Sequence, residues 1–215
     1  MQESSARGPL VQTVSTFSSL FGLSGLEHGL FELFQGSAVP GGLLISAIGP
    51  GQRLWSGGTE TAFTLIPNMA VTGCVAVVFS TAVILWSLLG IKKKHAWILL
   101  LLLSICQFLT GGGFAQIFLS VTISIVACRV NRPLTWWKNH LPESVRKAIA
   151  APWVALHTLF MLLFACGIEI AVFGFPYGNV RPELTFEIMR ILSYAMIAVF
   201  ALAVTSSLSR QSLRE

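Results

Sequence analysis

Residues 96–128, AWILLLLLSICQFLTGGGFAQIFLSVTISIVAC, decide how this chain is organised. The stretch has no charged residue, and as one helix it would be about 50 Å long, well beyond a hydrocarbon core of about 30 Å. Three consecutive glycines at 111–113 interrupt it, and glycine favours turns over helix interiors. The stretch therefore predicts two short antiparallel spans, at about 96–110 and 114–129.

The composition of the whole chain is typical of a membrane protein. Of its 215 residues, 54% are hydrophobic and 11% are charged, whereas soluble domains carry about 25% charged residues. Each helical crossing needs about 20 apolar residues, so the length leaves no room for a separate soluble domain. We expect one transmembrane domain at 14–209, with short tails at 1–13 and 210–215.

The remaining apolar runs predict four further spans, at about 14–36, 64–91, 151–174 and 184–207. Residues 37–63 are rich in Gly and Pro, and residues 41–50 within them are too short to cross. Whether this piece is re-entrant or interfacial stays open. The predicted fold class is an all-α polytopic transmembrane bundle of about six spans.

The distribution of Lys and Arg predicts the orientation. With the amino terminus in the cytoplasm, eleven of the fourteen basic residues fall on the cytoplasmic side, as the positive-inside rule requires. Both termini are then cytoplasmic, and the plasma membrane is the expected location. The basic residues sit in short clusters beside apolar runs, which is typical of orientation signals and argues against a nucleic-acid partner.

Residues 25–36, GLEHGLFELFQG, place two carboxylates and an imidazole inside the first span. Charged residues within spans are rare because each costs a few kcal/mol, and they are functional hypotheses by default. The predicted topology brings polar residues of four segments to the depth of the outer leaflet: Glu27, His28, Glu32, Asn68, Glu169, Glu187 and Arg190. On the first span, Gly22, Gly25 and Gly29 form a small-residue stripe suited to close helix contact.

This cluster is acid-rich, since its carboxylates face only one arginine. Unpaired carboxylates in a low dielectric either take up protons or hold a cation. The sequence therefore predicts an outward-facing site that binds or transports a proton-linked or cationic small solute. A purely structural alternative pairs Arg190 with Glu169 or Glu32.

A metal site is a weaker form of the same hypothesis. His28 and Glu32 lie four residues apart on one helix face, and Glu169 is the candidate third ligand. The pattern HxxxE supplies two ligands only, so we do not expect a bound cofactor.

Two other functions remain open. One is a membrane-embedded enzyme acting on a lipid or isoprenoid head group, with Glu32 or Glu169 as general acid or base. The motifs GxSxG, HExxH and GxxxxGK[ST] are missing and the chain contains no Asp, which favours a protein that is not an enzyme. The other is a non-catalytic subunit that docks a membrane partner or a second copy of itself.

Three stretches together resemble a group of uncharacterised prokaryotic multi-pass membrane proteins: GLEHGLFELFQG at 25–36, LIPNMAVTG at 65–73, and GGGF at 111–114 followed by NRPLTWW at 131–137. The resemblance covers roughly residues 20–141. It implies a shared helical membrane fold and draws attention to Glu27, His28, Glu32 and Asn68. It implies no activity.

Overall fold

A computed structural model describes residues 8–215, so the first half of the expected amino-terminal tail lies outside the described residues. Helices dominate, which confirms the all-α fold class, although one small antiparallel sheet is present. The elements are α1 (Pro9–Phe34), β1 (Leu44–Ser46), β2 (Thr61–Phe63), α2 (Met69–Leu89), α3 (Ala96–Leu109), α4 (Ile117–Val126), α5 (Thr135–His140), α6 (Glu143–Ala150), α7 (Trp153–Phe173) and α8 (Pro182–Ser212).

Within the described residues, three helical stretches are long and apolar enough to cross a membrane. They are α2, the nearly continuous pair α6 and α7, and α8. The helices α3 and α4 are apolar but shorter, with 14 and 10 residues. By length and composition these three stretches are candidate membrane spans, and a count of six crossings stays a prediction.

The three glycines at 111–113 form the turn between α3 and α4. Gly111 and Gly113 have φ values of +103° and +93°, a backbone region that residues other than glycine rarely adopt. The turn also extends the small sheet, because the Gly111 amide donates to the Phe63 carbonyl (2.9 Å) and the Phe114 amide to the Thr61 carbonyl (3.0 Å). The turn is thereby fixed against β2.

Residues 41–50 form β1 and its flanking loops, not a helix. In the antiparallel sheet Leu44 pairs with Phe63, and Ser46 pairs with Thr61. This hairpin and the 111–113 turn lie together at one end of the helix bundle. We call residues 36–68, 110–116 and 174–181 the hairpin end.

The helices α1 and α2 pack with their backbones in contact. A Cβ atom added to Gly29 would lie 2.9 Å from the Gly73 carbonyl oxygen, and one added to Gly73 would lie 2.6 Å from the Leu33 amide nitrogen. The stripe of small residues on α1 provides this contact. On the same face, Gln107 of α3 donates to the Phe21 carbonyl (3.0 Å) and so joins α3 to α1.

The loops rich in Lys and Arg gather at the other end of the bundle. Asn131 donates to the Lys92 carbonyl (3.0 Å), and Arg146 donates to the Ser212 carbonyl (3.0 Å). The start of α1 lies there too, because Thr13 hydrogen-bonds to Ser207 (2.7 Å). We call residues 90–95, 127–152 and 207–215 the basic end.

Candidate functional site

A cavity of about 670 Å³ lies at the hairpin end, between α1, α4, α7 and α8. Most of its polar lining comes from α1, from the strand and loop around β2, and from the residue before α4: Ser24, Glu27, His28, Thr59, Glu60, Thr61 and Gln116. The walls contributed by α4, α7 and α8 are mainly apolar. The cavity therefore has one polar region and one apolar region.

An aromatic cluster lies beneath the cavity, on the side of the basic end. Phe164 lines the cavity and also contacts Phe21 and Phe160, with ring centroids 5.8 and 6.0 Å apart. Phe17 and Phe200 complete the cluster through further ring contacts. Since Phe17, Phe21 and Phe160 are almost fully buried, the cavity is separated from the basic end by packed rings.

His28 is the centre of the polar region. Its side chain is 6% exposed, and its Nε2 atom lies 3.5 Å from a carboxylate oxygen of Glu60. Its Nδ1 atom is buried and has no hydrogen-bond partner among the described residues. The half-buried Glu27 precedes it on α1 and also lines the cavity. Two carboxylates and one imidazole therefore share the polar region of the cavity.

The position of Glu60 depends on the loop before β2. Its backbone is left-handed, with φ +43°, which is unfavourable for a residue with a side chain. The loop is held at two points: Gln35, directly after α1, donates to the Ser46 carbonyl (3.0 Å), and Trp55 donates to the Ala171 carbonyl of α7 (2.9 Å). These bonds join the loop to two of the helices that enclose the cavity.

Glu32 does not line the cavity. It is 0% exposed, neither of its carboxyl oxygens has a hydrogen-bond partner among the described residues, and it lies directly against the backbone of Gly111. His28 and Glu32 share one face of α1 but have different surroundings. His28 faces the cavity, whereas the glycine turn covers Glu32.

The other four candidates lie outside the cavity. Asn68 caps α2, since its side-chain oxygen accepts from the Val71 amide (3.1 Å). Arg190 pairs with Glu187 at 3.5 Å, and both are largely exposed, so the structural alternative that pairs Arg190 with Glu169 or Glu32 is wrong. Glu169 is exposed on α7, beside Tyr177.

The metal hypothesis loses its third ligand. Across residues 8–215, no three side chains of the metal-binding types come together. Glu169 is exposed on α7, and Glu32 is covered by the turn, so His28 faces the cavity without them.

The sequence interpretation identified Glu27 and His28 and missed the other polar residues of the cavity, among them Glu60 and Gln116. Glu60 lies in a stretch that reads as a Gly-rich loop, and Gln116 follows the glycine turn in an otherwise apolar run. The predicted topology already put both loops at the same end as Glu27 and His28. Their predicted location at the same end of the bundle is the signal that could have indicated Glu60 and Gln116.

No protein-family model, curated protein or solved structure matches this chain. The fold and the cavity define its class: a helical protein with three stretches long and apolar enough to cross a membrane, and with a cavity at one end of the bundle whose lining includes two carboxylates.

Proposed function

We propose that this is a multi-pass plasma-membrane protein whose cavity binds a cationic small solute, in a transport or sensing role. One observation supports the proposal above the rest. Glu27 and Glu60 line the cavity together with His28, and no Lys or Arg is among the described residues that line it.

The electrostatics of the cavity favour a cation over an anion. Charges interact far more strongly away from bulk water than in it, so two carboxylates near a bound cation attract it effectively. An anion placed there would meet the same carboxylates with no cationic side chain to offset them. The volume of about 670 Å³ lies within the range of cavities that hold small ligands.

The topology of the proposal has six crossings, by α1, α2, α3, α4, α7 and α8. The basic end then faces the cytoplasm and the hairpin end, with its cavity, faces outward. The gathering of the basic loops at one end of the bundle supports this orientation. Since α3 and α4 are shorter than a normal span, we infer that the bilayer is locally thinned or that neighbouring helices shield their ends.

The enzyme alternative depended on Glu32 or Glu169 as general acid or base. Glu32 is fully buried beneath the glycine turn, and Glu169 lies outside the cavity. Neither side chain reaches a substrate held in the cavity. A partner-subunit role stays a prediction, which co-purification would test.

Binding of tetramethylammonium to the protein in lipid nanodiscs, measured by isothermal titration calorimetry, tests the cation site. We expect Glu60→Gln to weaken binding by about tenfold or more, equivalent to roughly 1.4 kcal/mol, because it removes one of the two carboxylates. Glu187→Gln is the matched control, since Glu187 is exposed and paired with Arg190 outside the cavity. Equal effects of the two variants, or equally tight binding of methanesulfonate, would contradict the proposal.

A further inference from the structure

The apolar region of the cavity follows α8 for about three turns. The lining residues of α8 run from Phe186 to Ile197, which is about 16 Å along a helix axis. Opposite them stand side chains of α4 and α7, so that the region forms a slot between these helices. Its walls are Phe118, Leu119, Phe164, Ile168, Met196 and Ile197. A small solvated cation needs no such slot.

The slot opens on the lateral surface of the bundle. Phe118 on α4 and Ile197 on α8 both line it, yet they are 66% and 55% exposed. In the proposed topology this surface faces the hydrocarbon of the bilayer. A ligand with an apolar chain can therefore reach the slot from the membrane, while its polar group stays at the depth of His28.

We propose that the ligand is a cationic amphiphile, with its ammonium group between Glu27 and Glu60 and its alkyl chain in the slot. The inference rests on the proposed function, and it adds the class of cation. Charge complementarity selects this occupant over a phospholipid, since no Lys or Arg of residues 8–215 lines the cavity to receive a phosphate. The unpartnered Nδ1 of the buried His28 provides one further polar group for the ligand head.

The chain and the head group can be tested separately. Ile197→Trp fills the end of the slot that lies towards the aromatic cluster. Ile191→Trp is the matched control, because Ile191 is 58% exposed on the same helix but does not line the cavity. In nanodiscs, we expect Ile197→Trp to weaken binding of decyltrimethylammonium by about tenfold or more and to leave tetramethylammonium within about twofold. Ile191→Trp should leave both unchanged.

Each result of this comparison has a distinct meaning. If tetramethylammonium binds and decyltrimethylammonium binds Ile197→Trp as tightly as the unmodified protein, the amphiphile inference is wrong and the cation site stands. If the folded protein binds neither cation, the proposed function is wrong and the inference falls with it. Equally tight binding of decanoate would refute selection by charge.

Two additional measurements complete the design. Met196→Trp also fills the slot, since Met196 is one of its walls on α8, and it replaces Ile197→Trp should that variant not fold. Native mass spectrometry of the protein released from nanodiscs detects retained lipid. The proposal would be overturned by a phospholipid that co-purifies with the protein and is lost in the variant whose slot is filled by Trp, if decyltrimethylammonium cannot displace it.

Discussion

The Glu32 carboxyl group occupies the space that a side chain at Gly111 would fill. The φ of +103° at Gly111 disfavours any side chain, and an added Cβ would overlap the Glu32 carboxyl group. Gly36 offers a matched comparison, because its φ is +65° and nothing lies within 4 Å of an added Cβ. A left-handed backbone costs a residue with a side chain roughly 1–2 kcal/mol. At Gly111, whose φ lies beyond the left-handed region, the overlap with Glu32 adds to a backbone cost at least as large.

We therefore expect Gly111→Ala to lower the free energy of unfolding by about 2–4 kcal/mol, and Gly36→Ala by about 1 kcal/mol. Unfolding in mixed micelles of rising SDS content measures both values. Combining Gly111→Ala with Glu32→Ala should recover part of the loss, since the smaller side chain removes the overlap and leaves the backbone strain. Equal losses for Gly111→Ala and Gly36→Ala would show that the Glu32 carboxyl is not packed on the turn.

The sequence indicates some of the polar residues of the cavity and not others, for a physical reason. Glu27 and His28 are visible because a charge inside an apolar run is costly and therefore rare. Glu60 is not visible, because its position depends on the path of a loop and on a left-handed backbone at Glu60 itself. Helical periodicity places Glu32 beside His28, yet it cannot show that a turn from distant residues covers Glu32.

At the level of helices, the contact between α1 and α2 depends on glycine at the crossing point. An added Cβ at Gly73 would overlap the backbone of α1 at Gly29 and Leu33. Gly167 lies in the interior of α7, where an added Cβ would meet only Met196 at 3.5 Å, an ordinary contact. The gain in helix propensity on changing glycine to alanine is the same at both positions.

We expect Gly73→Ala to reduce stability by about 1–3 kcal/mol, because the two backbones must move apart. Gly167→Ala should be neutral or stabilising by up to about 1 kcal/mol. Thermal unfolding in detergent, followed by circular dichroism, compares them. If Gly73→Ala stabilises the protein as Gly167→Ala does, then α1 and α2 are not in backbone contact at Gly73.

The helices were easier to predict from the sequence than the sheet. Long apolar runs mark α2, α7 and α8, and the glycine triplet marks the division between α3 and α4. The strands β1 and β2 have three residues each and pair across a long loop. Strands this short show no periodicity in the sequence. The sheet is instead stabilised by hydrogen bonds to the turn at 111–113 and to Gln35.

At the level of the whole molecule, the ends of the bundle differ in charge and in architecture. One end carries the basic loops, and the other carries the sheet, the glycine turn and the cavity. In the six-span topology, α2, α3, α4 and α7 cross between residues 51 and 179. Four crossings put these two residues on the same side of the membrane. If α3 and α4 made a single crossing together, the two residues would lie on opposite sides. The position of these two loops therefore tests the topology directly.

Single cysteines introduced into a variant whose four native cysteines are replaced carry out this test. Gly51 and Asn179 are exposed at the hairpin end, and Lys94 and Asn139 are exposed at the basic end. With a membrane-impermeant maleimide, we expect Gly51→Cys and Asn179→Cys to react in intact cells, and Lys94→Cys and Asn139→Cys to react only after permeabilisation, because basic loops stay in the cytoplasm. Labelling of Lys94→Cys from outside would reverse the orientation and place the cavity at the cytoplasmic face. Labelling of Gly51→Cys but not Asn179→Cys would instead mean that α3 and α4 do not each cross, and the six-span topology would be wrong.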